Sequence, residues 1–216
     1  MSLTLTDRQA FERFAHQQLA QDHTGHDWAH VNRVRRVAMQ LCATDAAVDQ
    51  GIVEAAALLH DCYDAKLVAN VVTARQATQT LLAASQLAAG QQQQVLTIID
   101  HLGYAANLEG RFQQPLAGQY VQDADRLDAL GAVGIARTFY YGGAHQQPMY
   151  QPEVPPRTQM NEADYRQPAP VLNHFDEKLF QLAAMMNTEA GQSLAKTRTD
   201  YMREFVTRFK TEWGAD

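Results

Sequence analysis

The sequence has almost nothing that reads as β-strand. No run of alternating β-branched residues is bounded by a tight hairpin turn, and the chain reads as an all-α domain. It also lacks any stretch of about 18 apolar residues, the length that a membrane-spanning helix needs, so no membrane association is expected. The opening segment, MSLTLTDRQAFERF, has no basic region followed by an apolar core, and no signal peptide is expected there. Cysteine is scarce: Cys42 and Cys62 are the two in the chain, both in helical patterns. They are expected to be free, buried packing residues in a reducing compartment, the cytoplasm. Basic charge is in short supply as well, with 18 Lys and Arg against 24 Asp and Glu, a net charge of −6. An acidic surface repels a phosphodiester backbone, which argues against broad nucleic-acid binding. A local basic pocket for a small phosphorylated ligand is compatible with that balance.

What is present is helix-forming pattern from end to end. The 216 residues, 46% of them hydrophobic, are enough for one compact domain. Thr6 and Gln9 have capping-box spacing ahead of a helix through Phe11, Phe14 and Ala15. Asp27 is a good N-cap for a second helix, with Val34, Val37, Ala38 and Leu41 on one side. Ile52, Ala55, Ala56 and Leu59 mark a third helix, Val71 to Leu82 a fourth, and Val95, Ile98, Ile99 and Leu102 a fifth that stops at Gly103. A sixth is expected over about 117–141. Leu172, Phe175, Leu179, Leu182 and Met186 define a seventh, and Met202 to Trp213 the last, entered near Thr188. Proline is almost confined to one place: six of the seven fall between Ala144 and Pro170. Helix cannot persist there, and a loop at about 144–170 is expected, either a lid or a plain excursion.

The chemistry-bearing residues cluster on three of these helices. His60 and Asp61 end the third helix, in AALLHDCYD. A buried carboxylate needs partners, and a cation would satisfy both residues. His30 stands four residues before Val34, in the first turn of its helix and on its apolar stripe. Asp125 lies on the sixth helix, in VQDADRLDALG. Two imidazoles and two carboxylates suit an octahedral divalent ion with water in the remaining positions. Open positions let such an ion polarise a phosphoryl oxygen and lower the pKa of a bound water. Spacing alone favours the plainer reading, satisfied core histidines, over a metal site.

The segments HDWAHVNRV, ALLHDCYD and QDADRLDALGAVGIARTFYYGG together resemble the HD-domain metal-dependent phosphohydrolase superfamily, whose pattern is His, then His-Asp, then a distant Asp. The third segment and HFDEKLFQLAAMMNTEAG resemble a small bacterial subfamily akin to nucleoside triphosphate pyrophosphohydrolases. The likeness spans nearly the whole chain. It implies a helical bundle, read as a single HD domain over 1–216 with C-terminal helices at about 171–213. It implies one divalent ion, Mn²⁺ by preference among Mn²⁺, Mg²⁺, Fe²⁺, Co²⁺, Ni²⁺ and Zn²⁺, held by His30, His60, Asp61 and Asp125. His101 is the candidate for a second metal, but IIDHLGY lacks the His pair that two-metal sites use. Asp123 faces away from Asp125 on a helix. Asp128 shares the face of Asp125, and the motif match favours Asp125.

By the same resemblance Asp64, three residues after Asp61, helps to activate the attacking water, so Asp61 and Asp64 are the catalytic candidates. Substrate-binding candidates are His26, Arg33, Lys66, Arg126 and Lys178, which stand near the motifs and can clamp phosphate oxygens. The expected partner is a small phosphorylated substrate, a nucleotide, and the expected reaction converts a nucleoside triphosphate to monophosphate and pyrophosphate. Two other readings are a phosphodiesterase or nucleoside monophosphate phosphatase, and a metal-bound regulatory or ligand-sensing module. Apolar helix faces leave a homodimer open.

Overall fold

A computed structural model describes residues 2–22, 24–104, 112–158 and 167–214. Among them the regular structure is entirely helical. The chain divides into two compact units, Met1–Ala124 and Asp125–Asp216.

The first unit is built around α3 (Gln50–Leu59), which packs against α1 (Leu5–Gln18), α2 (Trp28–Leu41) and α5 (Ala89–Asp100); α4 (Val71–Ala83) lies on α5. The sequence pattern predicts one apolar stripe on α3. Instead the helix is buried from Gly51 to Leu59, because neighbours cover every side of it. Glu54, in its middle, is the exception in polarity. Its carboxylate accepts from Arg8 Nε and Nη2 (2.7 and 2.8 Å) and from Arg35 Nη1 (3.0 Å), so α1 and α2 both pair with the charge that α3 buries. Phe11, Val31, Val34, Leu58, Ile98 and Val121 are among the fully buried core residues. No helix among the described residues is long and apolar enough to cross a membrane.

Two boundaries in this unit differ from the sequence pattern. α1 is capped by Thr4, which accepts from Asp7 N–H and donates its hydroxyl to Asp7 Oδ2 (2.7 Å). The cap therefore falls two residues ahead of Thr6, because the Thr4–Asp7 pair satisfies the helix start first. α5 ends at Asp100, and His101 closes it with its N–H on the Ile98 carbonyl, short of Gly103.

The division into units falls within α6 (Leu116–Asp128), followed by α7 (Gly131–Ala144). The single helix expected over about 117–141 is thus two. Leu130 is extended and Gly131 has φ +76°, a backbone state that side chains disfavour, so the break is local and glycine-dependent. α7 and a one-turn α8 (Asn173–Glu177) lie in the second unit, as do a 3₁₀ stretch at Leu179–Met185 and the long α9 (Glu189–Trp213). The expected seventh helix is therefore α8 plus the 3₁₀ stretch, interrupted at Lys178. Leu172, Phe175, Leu179, Leu182 and Met186 are nonetheless all buried. Thr188 caps α9, its side chain accepting from Gly191 N–H, so the helix is entered where the sequence pattern puts it. Phe139, Phe175, Phe205 and Phe209 pack ring against ring in its core.

The flanks of the proline-rich segment are strapped down. Val171 N–H donates to Pro148 O, Leu172 N–H to Met149 O, and Asn173 Nδ2 to Val154 O. Arg157 grips the buried Glu177 carboxylate through Nε (2.9 Å), Nη2 (2.6 Å) and its own backbone N–H (2.9 Å).

Candidate metal centre

His60 caps the C-terminus of α3, and the chain then turns, with Cys62 N–H on Leu59 O and Asp64 N–H on Asp61 O. The His60 Nδ1 lies 2.9 Å from the Ala57 carbonyl. A carbonyl only accepts, so Nδ1 carries the proton and Nε2 of the neutral ring presents a lone pair. His30 stands in the first turn of α2, whose start Asp27 fixes by accepting from His30 N–H (2.9 Å). Its ring is fully buried.

The two rings meet edge to edge. His30 Nε2 and His60 Nε2 are 3.1 Å apart, and each lies 3.4 Å from Asp61 Oδ2. His26 reaches the same oxygen from the loop before α2, with Nδ1 at 3.0 Å. One ligand atom from each of His26, His30 and Asp61 lies within 4.8 Å of the others. Burial alone pushes the pKa of Asp61 up. The neighbouring His60 imidazole and hydrogen bonds from His26 and His30 outweigh it and hold the carboxyl well below its ordinary range.

These donors fit a divalent cation. Ligand atoms at adjacent positions of an ion with bonds near 2.1 Å stand roughly 3.0 Å apart in an octahedron and roughly 3.4 Å in a tetrahedron. The spacings among His30, His60 and Asp61 fall in that range. The set also concentrates a carboxylate oxygen and an imidazole lone pair in a buried place, where a positive charge stabilises both.

Three of the four expected ligands, His30, His60 and Asp61, thus converge within the first unit. Asp125 lies on α6 one residue past the fully buried Ala124, at the start of the second unit, and is half-buried. Asp123 is fully buried, and Asp128 accepts from Arg137 Nη1 (2.7 Å). Asp64 is half-buried and its Oδ1 accepts from Lys66 N–H (2.7 Å); the Lys66 side chain is exposed. Arg33 is half-buried one turn after His30. In the second unit, Arg126 donates to Met185 O, and Lys178 sits half-buried at the end of α8. His101 faces its own helix, Nδ1 on Thr97 O (2.9 Å), and stacks on Phe112.

Sequence pattern did not point to Asp22. Its carboxylate accepts from Thr24 N–H, Thr24 hydroxyl and His26 N–H (3.1, 2.6 and 2.7 Å), which folds the loop leading to His26. Burial raises the Asp22 pKa, and these hydrogen bonds more than offset it, leaving the carboxyl below its ordinary range. The signal was there in DHTGHD, an Asp two residues before a Thr and three before a Gly, which is turn chemistry.

No protein-family model matches the chain. It is 35% identical to YpgQ of Bacillus subtilis over 197 residues, covering 90% of this chain and 87% of that protein. A crystal structure of YpgQ in complex with ADP superposes with a TM-score of 0.73 at 30% identity, covering 94% of this chain and 97% of that one. A Lactobacillus plantarum crystal structure matches with a TM-score of 0.88 at 44% identity, over 99% of this chain and all of that one (100%). An HD-superfamily hydrolase from Bacillus thuringiensis matches with a TM-score of 0.71 at 38% identity, over 98% of each chain. A His on α2, a His-Asp pair closing α3 and near-full-length likeness to such proteins lead to one assignment: the chain belongs to the HD-superfamily hydrolases.

Proposed function

We propose that this hydrolase is a divalent-metal-dependent phosphohydrolase acting on a nucleotide, converting a nucleoside triphosphate to monophosphate and pyrophosphate. The observation that carries the reading is the meeting of His30 Nε2, His60 Nε2 and Asp61 Oδ2 at 3.1–3.4 Å. The HD motif and the YpgQ complex with ADP support a nucleotide ligand. Asp125 is the proposed fourth ligand, and Mn²⁺ the proposed ion, from the mixed nitrogen and oxygen set. Such an ion, when bound, polarises a phosphoryl oxygen and lowers the pKa of a coordinated water.

The chain's own groups do the rest. Asp64, in the turn after Asp61, takes the proton of the attacking water. Arg33 and Lys66 neutralise phosphate oxygens in the first unit, and Arg126 and Lys178 are the candidates in the second. Buried free thiols at Cys42 and Cys62 support a reducing compartment, the cytoplasm.

A panel of nucleoside mono-, di- and triphosphates and cyclic dinucleotides, assayed with Mn²⁺ and resolved by product, tests the reading. Pyrophosphate release from a triphosphate is the expected result. Orthophosphate release from a monophosphate, or diester cleavage, would replace the substrate assignment. No turnover with metal demonstrably bound would overturn hydrolysis and favour a sensing module.

A further inference from the structure

His26 belongs to no expected metal-ligand position, yet its ring is held against Asp61 with more local structure than a substrate contact requires. Three hydrogen bonds onto the Asp22 carboxylate fold the Thr24–His26 loop, and Gly25 takes φ +95° so that the chain can turn there. The loop brings His26 Nδ1 to 3.0 Å from Asp61 Oδ2 and sets its ring T-shaped against that of His30, with centroids 5.2 Å apart. A carboxylate at this site accepts and does not donate, so His26 Nδ1 carries the hydrogen.

Asp61 Oδ2 has two lone-pair directions. His26 Nδ1 occupies one. The oxygen is also 3.4 Å from both His30 Nε2 and His60 Nε2, so the atom that His26 holds is the one that stands beside both nitrogens. We propose that His26 is a positioning residue of the metal centre: its Nδ1–H fixes the Asp61 carboxylate so that a divalent ion meets a preset oxygen. This rests on the metal-centre reading given above. A carboxylate with free torsion would have to be ordered when the ion binds, and a fixed one would not. Hydrogen-bonded partners of metal ligands raise affinity in this way. Asp22 then serves at one further remove, by folding the loop that carries His26.

The test is Mn²⁺ affinity of the full chain, measured by calorimetry on wild type, His26→Ala, His26→Asn and Asp61→Ala. Asparagine keeps an N–H donor near the place of Nδ1 and is a poor metal ligand. His26→Ala is expected to bind Mn²⁺ about 10- to 100-fold more weakly. His26→Asn is expected to recover most of that loss. The metal-free melting temperatures of both variants should match wild type. With Co²⁺ at saturation, the visible absorption bands of His26→Ala should keep their wild-type positions, since no ligand has been removed. Unchanged Mn²⁺ affinity in His26→Ala overturns the proposal. So does a His26→Asn variant as weak as alanine, or a shift of the Co²⁺ bands, which would make His26 a ligand. The metal-centre reading fails separately, if Asp61→Ala binds Mn²⁺ as tightly as wild type.

Discussion

Asp64 sits in a turn, not on a helix, and its Oδ1 accepts the Lys66 amide. An asparagine there keeps that acceptor and removes the proposed base. Asp64→Asn is therefore expected to lower kcat by about 10²- to 10⁴-fold while Mn²⁺ affinity, read by calorimetry, stays at the wild-type value. A parallel loss of affinity would move Asp64 from base to ligand support. At this scale much of the centre was legible. His30 lies on the apolar stripe of α2, and the HD pair follows an apolar run, so helical phase turns both imidazoles inward. What was not legible came from groups without periodicity. The Ala57 carbonyl that sets the His60 tautomer is backbone, and the Asp22 turn that seats His26 is loop.

Among the elements, α3 shows where pattern reading falls short. Gln50–Leu59 reads as a helix with one core face, but burial on every side depends on neighbours far away in sequence. Glu54 is the clearest case. Within IVEAAALL it looks like the solvent face, and only α1 and α2, bringing Arg8 and Arg35, make it tolerable inside. Replacing both arginines with Met strands the charge and should cost about 3–5 kcal/mol of unfolding free energy. Glu54→Met should cost less, because both arginines are partly exposed and can turn to water. Urea denaturation of the two variants distinguishes them. The α6–α7 break escaped the pattern for a related reason. Apolar spacing continues across Leu130, but α6 stops at Asp128, Leu130 is extended and Gly131 enters α7 with a positive φ. In the second unit, Glu177 is buried, which pushes its pKa up, but the bonds from Arg157 win and hold it below the ordinary 4.5. A depressed carboxyl stabilises the fold fully above about pH 4.5. That contribution is lost as pH falls through the lower folded value. The difference in stability between wild type and Glu177→Gln should accordingly shrink as pH falls below 4.5, followed by thermal unfolding at a series of pH values.

For the molecule as a whole, a ligand that binds only the folded state adds stability by mass action. Mn²⁺ at about 100 times its Kd should stabilise the chain by about 2.7 kcal/mol. A chelator should remove that gain, and Asp61→Ala should show none, all read from melting curves. An unaltered melting curve with Mn²⁺ in wild type would mean that the ion does not bind the folded chain in preference to the unfolded one. The all-helical class was legible throughout the chain because it needs only local periodicity. The division near Ala124 was not, because it depends on which helices pack together. One consequence of α3 concerns time rather than energy. A helix enclosed by α1, α2 and α5 can expose its amides only when the first unit opens around it, so its protons should be among the slowest there to exchange with deuterated water. His60 caps that helix, and Ala57, which orients the ring, lies in its last turn. The imidazole is thereby anchored to the slowest-opening segment, and it should keep its aim while helix ends elsewhere in the unit fray and re-form.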